Sequence, residues 1–315
     1  MPALTAWLVT GEMPLLRSRV QPATEQNLEP DAPEPEKSNR KKGAVGQRII
    51  TSIVAIPIVL VFVWFGGWWA FAAAALVVVL GINELHNMMI HEGYHPLIVV
   101  SLVLSMLFLV AAMFPQLSLT LLEVGLVIAL LISFPLLFFR KKLDGAMLDW
   151  SLTLAIAIYL GWPLSLFPVL RGFEVGFSPG LWWVLTVLLG VWGFDTGAFF
   201  TGRFIGRHKL APKISPAKTW EGVIGGMVCS IAFSLVLTVV PLGIPWYLAV
   251  VLGILIGVAA TLGDLAESLI KRQTHVKDSG HFMPGHGGVL DRIDSILFAI
   301  IVVFVFTQLV GMLKL

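Results

Sequence analysis

Long apolar runs alternate with short polar breaks along this chain. Stretches almost free of charge lie near 48–65, 68–90, 97–115, 119–139, 148–170, 180–200, 222–241, 245–264 and 289–312. Each comes close to the roughly 20 residues that a helix needs to cross the hydrocarbon of a bilayer. The pattern predicts an all-α polytopic integral membrane protein with about nine transmembrane helices. The last run opens on Asp291, Arg292 and Asp294, and from Ile296 it keeps only a bare spanning length. Pro163 and Pro168 predict a kink in the fifth.

Residues 1–46 are a different kind of chain. Pro22 to Pro35 is rich in Pro and Glu, and Arg40, Lys41 and Lys42 stand just before the first run. This composition predicts a disordered cytoplasmic tail ending in a topological anchor. Residues 3–16 are interrupted by Gly11, Glu12 and Pro14, and they lack the charge-then-apolar order of a signal peptide. The remainder divides into N-terminal helices over 47–147 and a membrane region over 148–315 with two large polar loops, 201–221 and 265–292.

Composition agrees with the pattern. With 57% hydrophobic and 13% charged residues in 315, a soluble domain is excluded. A net charge of +2 is too small to argue for a nucleic-acid partner. Cys229 is the single cysteine, so no disulfide forms within the chain and no zinc site is suggested.

The placement of charge matters more than its sum. Arg40, Lys41, Lys42, Arg48, Arg140, Lys141, Lys142, Arg203, Arg207, Lys209, Lys213, Lys218, Lys271, Arg272, Lys277 and Arg292 all fall on one side of an odd-numbered bundle. Only Arg171 and Lys314 fall on the other. The positive-inside rule then puts the N-terminus and both polar loops in the cytoplasm. Trp64, Trp68, Trp69, Trp182, Trp183 and Trp246 cluster at the opposite ends as an aromatic belt.

Residues 261–294 concentrate the chemistry. Lys271, Arg272, Lys277, Asp278, His286, Asp291, Arg292 and Asp294 crowd between two apolar runs, where charge is costly unless paired, hydrated or functional. On a helix continuing past Asp264, that residue shares one face with Glu267, Ser268 and Lys271. The Gly-rich stretch from Gly280 to Gly288 would leave backbone N–H groups free to face a ligand. Acids, bases and glycines in this density suggest phosphate groups and a divalent cation such as Mg²⁺. Neither Asp264 nor Asp291 has an evident fixed cation partner, although Arg292 adjoins the second.

A second constellation spans 192–226. Asp195 lies within an apolar run, and a strongly basic loop follows it. Ser215–Pro216 reads as an N-cap with Pro at the first helical position, which places Lys218 and Thr219 in a first helical turn beside an anion. The polar residues Asn83, Glu84, His86, Asn87 and His91 of the second run read as interfacial packing rather than as a metal site.

These residues also carry a resemblance. Ser268, Lys271, Arg272, Lys277–Asp278, Gly280, Pro284, His286–Gly287–Gly288, Asp291–Arg292 and Asp294 resemble the signature of phosphatidate cytidylyltransferases. Asp195–Thr196–Gly197–Ala198 and Ser215–Pro216, Lys218–Thr219, Glu221–Gly222 resemble two further motifs of that family, with Phe199 where Tyr is expected. The likeness is dense from about 190 to 295 and thin before 148.

The resemblance implies an enzyme of phospholipid synthesis that joins CTP to phosphatidate, giving CDP-diacylglycerol and pyrophosphate, at the inner (plasma) membrane of a bacterial-type cell. It makes 148–315 the catalytic region. On it, Asp264 and Asp291 are assigned to Mg²⁺, with Asp294 beside them or on a second cation. Lys218, Lys271 and Ser215 grip phosphates, helped by Arg272, Lys277 and Arg292. Thr219, Glu221, Ser268, His286, Gly287, Gly288 and Asp195 complete the substrate-binding set. The bilayer is a partner in itself. A homodimer is compatible with the sequence, which does not fix the oligomeric state.

Two other classes were weighed. A head-group phosphotransferase acting on a CDP-lipid would carry an Asp-Gly-x-x-Ala-Arg core, which is absent. An ion-coupled transporter could use Asp195 and Asp264 as an ion path, but no convincing internal repeat accompanies them.

Overall fold

The computed structural model describes residues 56–139, 143–280 and 287–312. The predicted tail, the basic cluster Arg140–Lys142 and His286 lie outside them.

The apolar runs become helices. They are α1 (Ile56–Phe65), α2 (Gly67–His91), α3 (Ile98–Met113), α4 (Ser118–Phe138), α5 (Ala146–Arg171), α6 (Pro179–Ile205), α7 (Trp220–Leu242), α8 (Trp246–Gln273) and α9 (Leu290–Met312). Seven of these described helices are long and apolar enough to cross a membrane; α1 and α3 are shorter. The fold is helical, as the sequence predicts. Among the described residues it is interrupted by a small antiparallel hairpin, β1 (Lys209–Ala211) with β2 (Ser215–Thr219), between α6 and α7.

That hairpin corrects the sequence reading of Ser215–Pro216. They do not cap a helix: both lie in β2, and α7 starts at Trp220. The N-cap is Thr219, whose hydroxyl accepts from the Gly222 N–H at 3.2 Å. A proline is tolerated in β2 because a two-stranded hairpin consists of edge strands only, where a missing N–H breaks little.

Helix α5 holds a local irregularity. Residues Ala157–Gly161 form a π-helical turn just before Pro163. Single π turns arise where an α-helix accommodates an extra residue, often beside functional groups.

Two apolar clusters meet along α5 and α9. One joins Leu166 and Leu170 to Val184, Val191, Leu252, Ile256 and Val303. The other joins Val78, Ile82 and Leu85 of α2 to Leu160, Leu290 and Leu297. Helix α2 therefore packs directly on the first turn of α9.

Helices α6 and α7 approach through their backbones. A Cβ on Gly197 would sit 2.6 Å from Cys229 Sγ and 2.8 Å from the Gly225 carbonyl, and one on Gly226 would sit 2.7 Å from the Phe194 carbonyl. Small residues let membrane helices pack this tightly in the absence of a hydrophobic driving force between them.

At the end of α5 the Arg171 side chain is buried. Its guanidinium donates to the carbonyls of Val63, Trp64 and Glu174 and to Ser178 Oγ. It clasps the α1–α2 break to the α5–α6 connection. The sequence reading of Arg171 as one of two basic residues on the outer face is silent on this burial.

Candidate functional site

Helix α8 runs for 28 residues, about 42 Å at 1.5 Å per residue, against a hydrocarbon thickness of about 30 Å. Its last turns, from Asp264 to Gln273, carry all of its charged side chains. There they meet the β hairpin, the segment 274–280 and the start of α9.

The predicted helical face is present. Ser268 Oγ donates to Asp264 Oδ1 at 3.2 Å, and Lys271 Nζ lies 3.0 Å from Glu267 Oε2. The cation partners were not legible. Lys218 Nζ, from β2, lies 2.6 Å from Asp264 Oδ2, and Lys271 Nζ lies 2.6 Å from Asp291 Oδ1. Both aspartates thus hold a lysine, contrary to the sequence reading that neither has a fixed partner. The reason is distance along the chain: both pairs bridge separate elements.

Asp291 is gripped on its other oxygen as well. Oδ2 accepts from the Ser279 N–H at 3.0 Å, the Ser279 hydroxyl at 2.9 Å and the Gly288 N–H at 2.9 Å. The N–H of Gly288 thus faces a side chain of the protein rather than standing free for a ligand. Gly287 has φ +80°, and a Cβ there would come 2.8 Å from Asp291 Oδ2. This glycine serves a left-handed turn tucked beneath the carboxylate.

Asp195, on α6, is accessible, and its charge interacts with Asp264, Asp294, Lys218 and Arg292. Asp294 is buried, accepts from the Ser295 N–H, and its charge interacts with those of Asp264 and Glu267. Four elements thus bring Asp195, Lys218, Asp264, Glu267, Lys271, Asp291, Arg292 and Asp294 into one electrostatic neighbourhood.

The remaining predicted residues are placed more loosely. Arg272 Nε donates to the Ile214 carbonyl at 3.2 Å, fastening the end of α8 to the hairpin beside Ser215. Lys271, Arg272, His275, Val276 and Lys277 line a pocket of about 260 Å³. Glu221 does not face that pocket. It accepts from the N–H groups of Arg207 and His208 and pairs with His208 Nδ1 at 2.5 Å, which makes it a brace for the hairpin. Thr219 is occupied as the α7 cap.

Three residues escaped the sequence reading. His275 lines the pocket and pairs with Glu92 at 2.9 Å. Tyr159, on the π turn, has a buried hydroxyl with no hydrogen-bond partner among the described residues and lies within electrostatic reach of Glu267, Asp294 and Asp264. Glu84, read as interfacial packing, is buried against the start of α9. The place of Glu84 within an apolar run was the signal the sequence offered, and it names no partner.

A divalent cation suits this chemistry. Among the described residues no three His, Cys, Asp or Glu side chains converge at metal-binding separation. Mg²⁺ does not need them, since it is held by one or two carboxylates with waters and phosphate oxygens. The donor set is of the right kind: carboxylates of Asp195, Asp264, Glu267 and Asp294 interact, and buried Glu267 Oε1 has no hydrogen-bond partner.

Lysines and carboxylates thus gather at one end of a bundle whose helices are long and apolar enough to cross a membrane, the class of an integral membrane protein. The chain belongs to the cytidylyltransferase family, whose model matches residues 46–310. It is 37% identical over 259 residues to a phosphatidate cytidylyltransferase of Staphylococcus haemolyticus, covering 80% of this chain and 95% of the relative. A phosphatidate cytidylyltransferase of Synechocystis is 35% identical over 295 residues, 84% of this chain and 96% of the relative. One from Bacillus subtilis is 41% identical over 148 residues, 47% of this chain and 54% of the relative.

Proposed function

We propose that this membrane enzyme transfers the cytidylyl group of CTP to phosphatidate, releasing pyrophosphate and leaving CDP-diacylglycerol in the bilayer. The observation that carries the reading is the pair of ion pairs, Lys218–Asp264 and Lys271–Asp291, meeting at the end of α8 in a chain of this family.

A phosphatidate phosphate oxygen attacks the α-phosphorus of CTP in line. The new P–O bond forms as the bond from that phosphorus to the bridging oxygen breaks, and the electron pair leaves with pyrophosphate. A phosphate monoester, with a second pKa of about 6, is already largely ionised near neutrality, so no strong general base is required. Catalysis then rests on alignment and on neutralising charge.

Lys218 and Lys271 supply ammonium groups at the two carboxylate positions, and an arriving phosphate competes with Asp264 and Asp291 for them. Arg272 and Lys277 add positive charge around the pocket, which His275 also lines, and Ser215 and Ser268 offer hydroxyls. Asp264 and Asp291, with Asp294 beside them, are the residues that would hold Mg²⁺, which when bound supplies charge neutralisation across the phosphate oxygens. Asp195 adds to the negative charge that retains a cation.

The lysine and arginine distribution supports a cytoplasmic site and N-terminus, and nine spans with α1 and α3 counted. The test is purified protein in phosphatidate-containing vesicles with CTP and Mg²⁺. Pyrophosphate and CDP-diacylglycerol should appear in equal amounts, and chelation should stop both. Absence of a CDP-lipid product would sink the reading.

A further inference from the structure

Helix α9 starts without a cap of its own. Its first N–H groups have no intrahelical acceptor, and a Ser, Thr, Asp or Asn just ahead would normally supply one. Here Gly288 and Val289 precede Leu290, and neither side chain can accept a hydrogen bond.

The acceptor comes from another helix. Glu84 Oε1 accepts from the Val289 N–H at 2.8 Å, and Oε2 accepts from the Leu290 N–H at 2.9 Å. The carboxylate is buried, and it sits at the positive end of the α9 dipole. A carboxylate buried within a membrane helix is expensive unless its oxygens are met, and these are.

The contact extends to the site. The Ser279 hydroxyl lies 3.2 Å from Glu84 Oε2 and 2.9 Å from Asp291 Oδ2, so its one proton serves between two carboxylates. The glycines around it make room. A Cβ on Gly280 would sit 2.7 Å from Glu84 Oε1, and one on Gly288 would collide with Ser279 Oγ and Glu84 Oε2. Glycine at 280 and 288 thus admits the carboxylate of α2. A second tie follows the same path, from Glu92 after α2 to His275, a non-glycine residue at φ 51°.

We propose that Glu84 is a positioning residue for the reaction: by capping α9 from α2 and sharing Ser279 with Asp291, it fixes where the Asp291 carboxylate stands. A residue of α2, outside the motifs that carry the resemblance, then sets the geometry of the transfer step. This rests on the role given above to Asp291.

The test uses the full chain in nanodiscs. Glu84→Gln keeps size but offers one acceptor oxygen and turns an NH₂ toward a helix start. CTP turnover should fall in kcat by roughly ten- to a hundredfold, the scale of a lost charge-assisted hydrogen bond, with KM for CTP changed by less than threefold. Hydrogen exchange in peptides covering 287–292 should quicken, while peptides of α6 and α7 stay as in the parent. Ser279→Ala, which removes only the bridge, should lower kcat several-fold and keeps the question open to measurement if Glu84→Gln does not fold. Combined with Glu84→Gln it should add little, because the two act as one unit.

Parent-like kcat and exchange in Glu84→Gln would overturn the proposal. So would a loss of activity that tracks only the fraction of folded protein, with kcat per folded molecule unchanged. Full activity in Asp291→Asn would instead remove the role of Asp291 while leaving the exchange result standing, so the two failures are distinguishable.

Discussion

Lys218 lies 2.6 Å from Asp264, and the contact joins a β hairpin to the charged end of α8. Neither partner is fully buried, so the pair is solvated and exchangeable. A half-buried, solvated pair of this kind contributes little to stability, of the order of 0–1 kcal/mol. On the proposed function its role is to present a lysine to phosphate.

Lys218→Ala should therefore leave folding nearly intact and lower kcat/KM for CTP by roughly ten- to a hundredfold, the cost of one charge-assisted contact. Ser215→Ala should cost less. Steady-state kinetics beside a thermal melt separates the two quantities. A Lys218→Ala enzyme with parent kinetics would reduce the lysine to topology alone.

Asp264→Asn and Asp291→Asn should each abolish measurable turnover in protein that remains folded in detergent. The double variant should be no worse than either, since groups acting together are not additive. Asp→Glu at either position should raise the Mg²⁺ concentration for half-maximal rate, and Glu267→Gln, whose charge is already engaged by Lys271, should raise it much less. Metal titration reads this directly. Unchanged metal dependence in both Asp→Glu variants would refute the shared cation.

The orientation is open to labelling. In a Cys229→Ser background, single cysteines at exposed Leu143 and exposed Val175 should respectively resist and accept an impermeant thiol reagent on intact cells. Arg171 itself is unsuitable for this because it is buried. The reverse pattern would invert the bundle and take the site out of the cytoplasm.

Arg171→Lys should destabilise the protein even though it keeps the charge. A lysine cannot reproduce a fork that serves three carbonyls and a hydroxyl, and each buried acceptor left unmet costs about 1–3 kcal/mol. The melting temperature should fall while kcat per folded molecule is retained. An unaltered melt would show that the clasp carries no stability.

Local patterns were the legible part. Asp264, Ser268 and Lys271 recur at helical spacing on one helix, so their common face follows from the sequence alone. Apolar run length likewise marked most described helices to within a few residues; α6 and α8 continue past their runs, to Ile205 and Gln273, because a helix does not stop where its apolar residues do, and the start of α1 borders undescribed chain. Ser215–Pro216 failed because the same dipeptide suits a helix start and an edge strand, and pairing with Ala211 decided it. The real cap, Thr219, had the right chemistry four residues later. Lys218–Asp264, Lys271–Asp291 and Glu84–Leu290 were beyond reach for one reason. Each joins separate elements, and no periodicity encodes which helix ends share an end of the bundle.

The backbone contact between α6 and α7 has a mechanical consequence. The two helices carry the hairpin between them, so their spacing fixes where Lys218 is held. One methyl group at Gly197 or Gly226 must wedge them apart, and the displacement travels up both shafts to the tip. Two residues along the chain from Asp195, the thickness of a glycine calibrates the reach of an ammonium group.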